Sequence, residues 1–234
     1  MYIVITRSFP PEVGGMQNLM WGLANSLSKY YMIKVFADYH EQHNNYDESV
    51  SFAIQRVGGI KLLRKYRKAY LVNEFIKKNK HIKGIIADHS KSLELIKTDK
   101  KKICLIHSKE INHDKGTFSN KRILKVLNSV DHVVSNSKYT KDLAINCGVN
   151  SNKIKIINPG IYPTKEIDKK VLSEAENFLK NKNPRLITVS RLDKRKNHEK
   201  IIMALRNLKQ IYPNIIFLFS ISNACINNVR VYLF

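Results

Sequence analysis

Cysteine is scarce in this 234-residue chain: Cys104, Cys147 and Cys225 are odd in number and far apart. They form neither a disulfide framework nor a zinc site of recognisable spacing, so a reducing cytosol is the expected compartment. No apolar run approaches the ~20 residues of a transmembrane helix. The opening MYIVITRSFPPE is interrupted by Arg7 and two prolines before reaching signal-peptide length. Membrane contact, if made, is expected to be peripheral, on the inner face of the cell membrane. The dinucleotide fingerprint G-x-G-x-x-G is missing, which counts against a nucleotide-dependent oxidoreductase. RNA-binding aromatic signatures and zinc-finger spacings are missing too.

Acidic residues are also few. The 19 Asp and Glu against 41 Lys and Arg leave a net charge of +22. That balance favours anionic partners: sugar nucleotides, acidic lipid head groups or nucleic acid. The charge is spread along the chain, and Lys, Asn and Ile are abundant together, as in an AT-rich coding sequence. It is therefore discounted as a sign of nucleic-acid binding, and no nucleic-acid partner is expected.

Hydrophobic residues make up 43% of the chain, enough for a globular core. Short β-branched runs alternate with helical patterns. Strands are expected at Tyr2–Thr6, Met32–Ala37, Val50–Val57, Gly84–Ala87, Ile103–Ile106, His132–Ser135 and Ile154–Ile157. Helices are expected at Met16–Lys29, Ile60–Lys80, Leu93–Ile96, Arg122–Leu127 and Lys138–Cys147, with a polar loop at His40–Ser49. The alternation predicts an α/β fold with a mostly parallel, doubly wound sheet. Asn158-Pro159-Gly160 then breaks the pattern, giving a first domain of residues 1–160. A linker, 161–184, holds a polar helix at Ile167–Lys180. A second domain, 185–234, contains the strand Leu186–Val189, a helix His198–Ile211 and the strand Ile215–Phe219. At about fifty residues it is near the lower limit for an independent core, with one sheet face poorly covered.

Several residues stand where chemistry is expected. Gly14 and Gly15 precede a helix and let backbone approach a ligand, while the helix end favours an anion; an ordinary βα turn would look the same. His107 ends the strand KICLIH, with Glu110 three residues on. Ligands of open α/β sheets bind beyond the carboxyl ends of the strands, although a surface histidine would also fit there. Asp88-His89 follow another strand end and rank below His107. His40 and His43 lack a third ligand and read as solvated. Arg191 and Lys196 follow the strand Leu186–Val189 and flank the turn before a helix, where phosphate binds in many α/β proteins. A solvated basic turn is the alternative. Ser137 is a plausible helix cap. The basic helix Ile60–Lys80 suits either an anionic membrane or a core with a solvated face, the latter preferred.

Three stretches, FPPEVGGMQ, SNSKYTKDLAINCGVNSNKIKIINPGI and LITVSRLDKRKNHEKII, together resemble the family 4 retaining glycosyltransferases of the GT-B fold, over roughly residues 1–219. The resemblance implies two Rossmann-like domains, the second incomplete here. The acceptor would bind mainly to the first and a nucleotide-sugar donor, such as a UDP- or GDP-sugar, mainly to the second. It implies that Gly14 and Gly15 sit near the donor diphosphate and acceptor, and His107 near the transferred sugar. Arg191 and Lys196 would hold the diphosphate, with Glu110 on the acceptor side. No metal or other cofactor is implied. The resemblance further suggests a saccharide or lipid-linked acceptor, in cell-surface polysaccharide or glycolipid synthesis.

One departure is large. Family members carry a glycine-rich turn after the strand matching Ile215–Phe219, and later a pair of glutamates. Here no glycine follows Gly160, no aspartate follows Asp193 and no glutamate follows Glu199. The expectation is a C-terminally truncated enzyme with very weak or no activity. The competing reading is a non-catalytic acceptor-binding or membrane-associated remnant.

Overall fold

The first strand already shows how the sheet is buried. In β1 (Tyr2–Ile5), Ile3 and Ile5 pack on one face and Val4 on the other, as the two-residue period of a strand requires. The computed structural model describes residues 1–160, 166–190, 192–221 and 230–233. The chain divides into two compact units, Met1–Tyr162 and Pro163–Phe234.

Unit 1 runs β1, α1 (Gly15–Ser28), β2 (Ile33–Asp38), α2 (His43–Glu48), β3 (Ala53–Val57), α3 (Arg64–Lys78), β4 (Gly84–Ala87) and α4 (Ser90–Leu93). It continues with β5 (Lys101–Ile106), α5 (Ser108–Ile111), α6 (Phe118–Ser129), β6 (His132–Ser135), α7 (Lys138–Cys147) and β7 (Ile154–Ile156). Its seven strands lie in the order β3-β2-β1-β4-β5-β6-β7, all neighbours parallel. One face buries Phe36, Ile85 and Ile106 with Val72 of α3 and Leu127 of α6. The other buries Val35 and Ala37 with Met20 and Ala24 of α1. The order makes β1 and β4 the pair from which the chain winds in opposite directions.

The stretch expected to be a polar loop, His40–Ser49, instead contains α2. His43 there is half-buried, its ring edge-on to Tyr39 at 5.0 Å, so it is not simply solvated. The basic helix is core-facing on one side: α3 buries Lys68, Ala69 and Val72. It begins at Arg64 rather than Ile60, and residues 61–63 form a turn. Ser137 caps α7, its side chain accepting from the Thr140 N–H.

Unit 2 contains α8 (Lys169–Phe178), β8 (Arg185–Ser190), α9 (His198–Ile211), β9 (Ile216–Ile221) and β10 (Arg230–Leu233). Its sheet order is β10-β9-β8, with β8 parallel and β10 antiparallel to β9. β10 was not legible as a strand; β9 gives the final segment a partner edge. Ile187 and Val189 on β8 are exposed, so one face of this sheet lacks cover among the described residues.

Candidate active site

The crevice at the carboxyl ends of β1 and β4 is built on Asp88, which is buried just beyond β4. Its Oδ2 accepts hydrogen bonds from Thr6 Oγ1 and from the Arg7 N–H, both at 2.8 Å. Its Oδ1 accepts from Ser92 Oγ at 2.9 Å. One carboxylate thus joins the ends of two central strands to α4. Asp88 holds the crevice together through these bonds, while His107 remains the residue aimed at chemistry. The signal for Asp88 was a carboxylate directly after a four-residue apolar strand, but its partners Thr6 and Ser92 become visible only once β1 and β4 are paired.

His107 lies at the end of the neighbouring strand, β5, and Glu110 folds back on it. Glu110 Oε1 accepts the His107 backbone N–H at 2.5 Å. The expected pair is therefore brought together. Burial pushes the Glu110 carboxyl up to about 7, against the pull of the His107 N–H. Burial lowers His107 below the usual histidine range, and the nearby Asp88 carboxylate only partly offsets this. His89 is pushed down by burial to about 4, again against Asp88, and its Nδ1 accepts the Lys91 N–H at 3.0 Å. Both imidazoles are consequently neutral near pH 7. The Nε2 of His107 is buried and has no hydrogen-bond partner among the described residues. A buried polar atom of this kind has an unmet hydrogen bond that a ligand hydroxyl can supply.

Gly14 caps and Gly15 begins α1 at the end of the loop that follows β1. The loop is tied down by Arg56, which donates to the Pro10 carbonyl at 2.5 Å and forms a two-pronged pair with Asp47. A Cβ on Gly15 would meet nothing within 4 Å, so the backbone here is open to an approaching group. On the far side of β1, a groove of about 400 Å³ runs along α3. Lys68 sits at its base, buried, donating to the Thr6 carbonyl at 2.5 Å and paired with Asp38. Arg64 also pairs with Asp38, at 3.3 Å. The sequence did not single out Lys68 or Asp38, because nothing local distinguishes one lysine among many on α3.

In unit 2, Lys196 is exposed and closes a single 3-10 turn, Lys194–Lys196, after β8. Asn197 follows in the left-handed conformation, φ 55°, and α9 starts at His198. The basic turn before a helix N-terminus is thus present. Arg191 lies outside the described residues. A contact not anticipated joins Ser190 Oγ to His198 Nε2 at 2.7 Å, fixing the end of β8 to the first turn of α9. Among the described residues, no three His, Cys, Asp or Glu side chains are grouped to hold a metal ion.

The family model for Glycosyltransferase Family 4 matches residues 13–165. The chain belongs to glycosyltransferase family 4. The match includes Gly14, Gly15, Asp88, His107 and Glu110, all of unit 1. No curated protein matches the chain by sequence. Among solved structures, HepE of Anabaena in complex with UDP is similar at a TM-score of 0.71 and 16% identity, over 93% of this chain and 60% of that one. Sucrose-phosphate synthase from Thermosynechococcus elongatus is similar at 0.68 and 16%, over 93% and 61%. UDP-GlcNAc 2-epimerase from Methanocaldococcus jannaschii is similar at 0.59 and 10%, over 96% and 66%. The α/β architecture of this family 4 chain is therefore of the GT-B type. The chain spans about 60% of the length of the first two structures. An epimerase among the similar structures shows that fold alone does not fix the reaction.

Proposed function

We propose that this family 4 chain acts in the transfer of a sugar from a nucleotide-sugar donor, with retention at the anomeric carbon, to a saccharide or lipid-linked acceptor. Cell-surface polysaccharide or glycolipid synthesis on the cytoplasmic face of the membrane is the matching context. The observation that carries the reading is the unpartnered Nε2 of His107, beside the Asp88-anchored crevice of a family 4 unit. A neutral imidazole there bonds a hydroxyl of the transferred sugar without adding charge. Departure of the nucleotide leaves negative charge on its diphosphate. Lys196 and Arg191 are the groups assigned to stabilise that charge, an effect worth most in the transition state. The donor is a substrate, and no further cofactor is invoked. UDP in the HepE structure supports a uridine donor as the first choice.

The test is the thermal stability of the purified chain with millimolar UDP or GDP. A nucleotide at about 100 times its dissociation constant adds about 2.7 kcal/mol, read as a melt several degrees higher. A nucleotide-selective rise supports a donor site. A cooperative melt that no nucleotide moves overturns it for this chain and favours the second reading, an acceptor-binding module.

A further inference from the structure

The groove along α3 has a charge problem that the protein does not solve internally. Seven of its twelve lining residues are Lys or Arg, and Asp38 is the one acid among them. Asp38 is shared between Lys68 and Arg64, and Glu94 nearby is shared between Lys65 and Arg122. Among the described residues no carboxylate pairs with the side chains of Arg7, Lys61 or Lys91, which line the same groove. Burial pushes Lys68 below the usual lysine range despite Asp38. The cations come from the loop after β1, from α3 and the turn before it, and from α4, around one opening.

The rim beside this opening is apolar where a solvated basic face would be polar. Ile60, Leu62, Leu63, Tyr66 and Tyr70 are 70%, 83%, 59%, 53% and 64% exposed. They alternate with Lys61, Arg64, Lys65 and Arg67. Leu62 belongs to both the rim and the groove lining. Exposed apolar surface next to unpaired cations suits one ligand chemistry: a compact multiple anion attached to a hydrocarbon chain.

We propose that this groove binds the phosphate or diphosphate of a lipid-linked acceptor, with Arg7, Lys61 and Lys91 on the anion and the Ile60–Tyr70 rim on the first part of the chain. The proposal rests on the reading that unit 1 is the acceptor side and names the acceptor's class. The anion supplies the negative charge that Asp38 and Glu94 leave short, and the rim discriminates a lipid phosphate from free phosphate.

The experiment is equilibrium binding of farnesyl diphosphate to the whole chain without any donor. Inorganic pyrophosphate, farnesol and phosphatidylglycerol vesicles are the comparison arms. Farnesyl diphosphate should bind at least about tenfold tighter than pyrophosphate or farnesol, since both parts of the site are then engaged. The double variant Lys61→Glu/Lys91→Glu should weaken it by about tenfold or more. Lys78→Glu/Lys80→Glu, an equal charge change at the other end of α3, should not. These lysines are all exposed, so the variants keep their fold, checked by their melts. Leu62→Asn should weaken farnesyl diphosphate and leave pyrophosphate unchanged. Equal binding of pyrophosphate and farnesyl diphosphate would overturn the lipid assignment. Equal loss in both double variants would reduce the groove to general charge attraction and overturn it too. So would binding to vesicles alone, which would make the rim a membrane contact. Because no nucleotide is present, lipid binding without a UDP effect would sink only the transferase reading. A UDP effect without lipid binding would sink only this one.

Discussion

Thr6 Oγ1 lies 2.8 Å from Asp88 Oδ2, a hydrogen bond that closes 82 residues of chain and joins the ends of β1 and β4, where the strand order reverses. Thr6 is fully buried and Asp88 nearly so. Asp88→Ala would leave the Thr6 and Ser92 hydroxyls and the Arg7 N–H without this acceptor. Thr6 Oγ1 can turn to the Ser8 carbonyl, 2.9 Å away, whereas a buried donor left with no partner costs about 1–3 kcal/mol. With the Arg7 and Ser92 donors partly rescued by water, a loss of about 1–3 kcal/mol is expected, read by urea or thermal denaturation. Asp88→Asn keeps the shape and one acceptor oxygen and should lose less than half as much. Matching melts for wild type and Asp88→Ala would show that the crevice is not held together this way.

Glu110 gives a pH signature with a definite sign. Its folded value, about 7, lies above the ordinary 4.5 because burial disfavours the carboxylate. Between those two values the folded chain holds a proton that the unfolded chain has released. Stability from this group is therefore full below pH 4.5 and is lost as pH rises toward 7. The neutral His107 and His89 act oppositely. Their folded values are lowered, so they favour the folded state increasingly as pH rises toward 6.5. The contributions overlap, and the wild-type profile alone does not separate them. Glu110→Gln does: relative to wild type it should gain stability progressively from pH 5 to 7.5, by about 1–3 kcal/mol at the upper end. A constant difference across that range would show that Glu110 does not titrate there.

The contrast between Glu110 and Asp88 shows how far the sequence could be read. The strand runs, the alternation and the family motifs are local, so the parallel sheet, its helices and the pair His107–Glu110 were accessible three residues apart. Asp88 gains its importance from Thr6 and Lys68 from Asp38, at separations of 82 and 30 residues, which only strand order creates. Boundaries drifted where turns rather than hydrophobic spacing set them, as at residues 60–63, and α2 was missed because HNNYDE has no apolar face. β10 was missed for a related reason: RVYL is four residues opening on a cation, and its strand character depends on pairing with β9.

The two glycines at the start of α1 should separate under substitution. A Cβ on Gly14 would lie 2.3 Å from Gln17 Oε1, and Gln17 is buried, so its side chain must be displaced. Gly14 has extended backbone, φ 168°, which alanine adopts freely, so the effect comes from packing. Gly14→Ala should cost about 1 kcal/mol in a thermal or urea melt. Gly15 has nothing within 4 Å of a Cβ and is the first residue of α1. Gly15→Ala should leave stability unchanged or raise it by up to about 1 kcal/mol, because alanine favours the helix. If the donor diphosphate rests against the amino end of α1, however, the added methyl lies between backbone and phosphate. UDP should then bind at least about tenfold more weakly to Gly15→Ala than to wild type, and any transfer should show a raised KM for the donor. A stability gain with lost nucleotide binding is an outcome that a purely structural glycine would not produce. Unchanged binding would remove the amino end of α1 from the donor site.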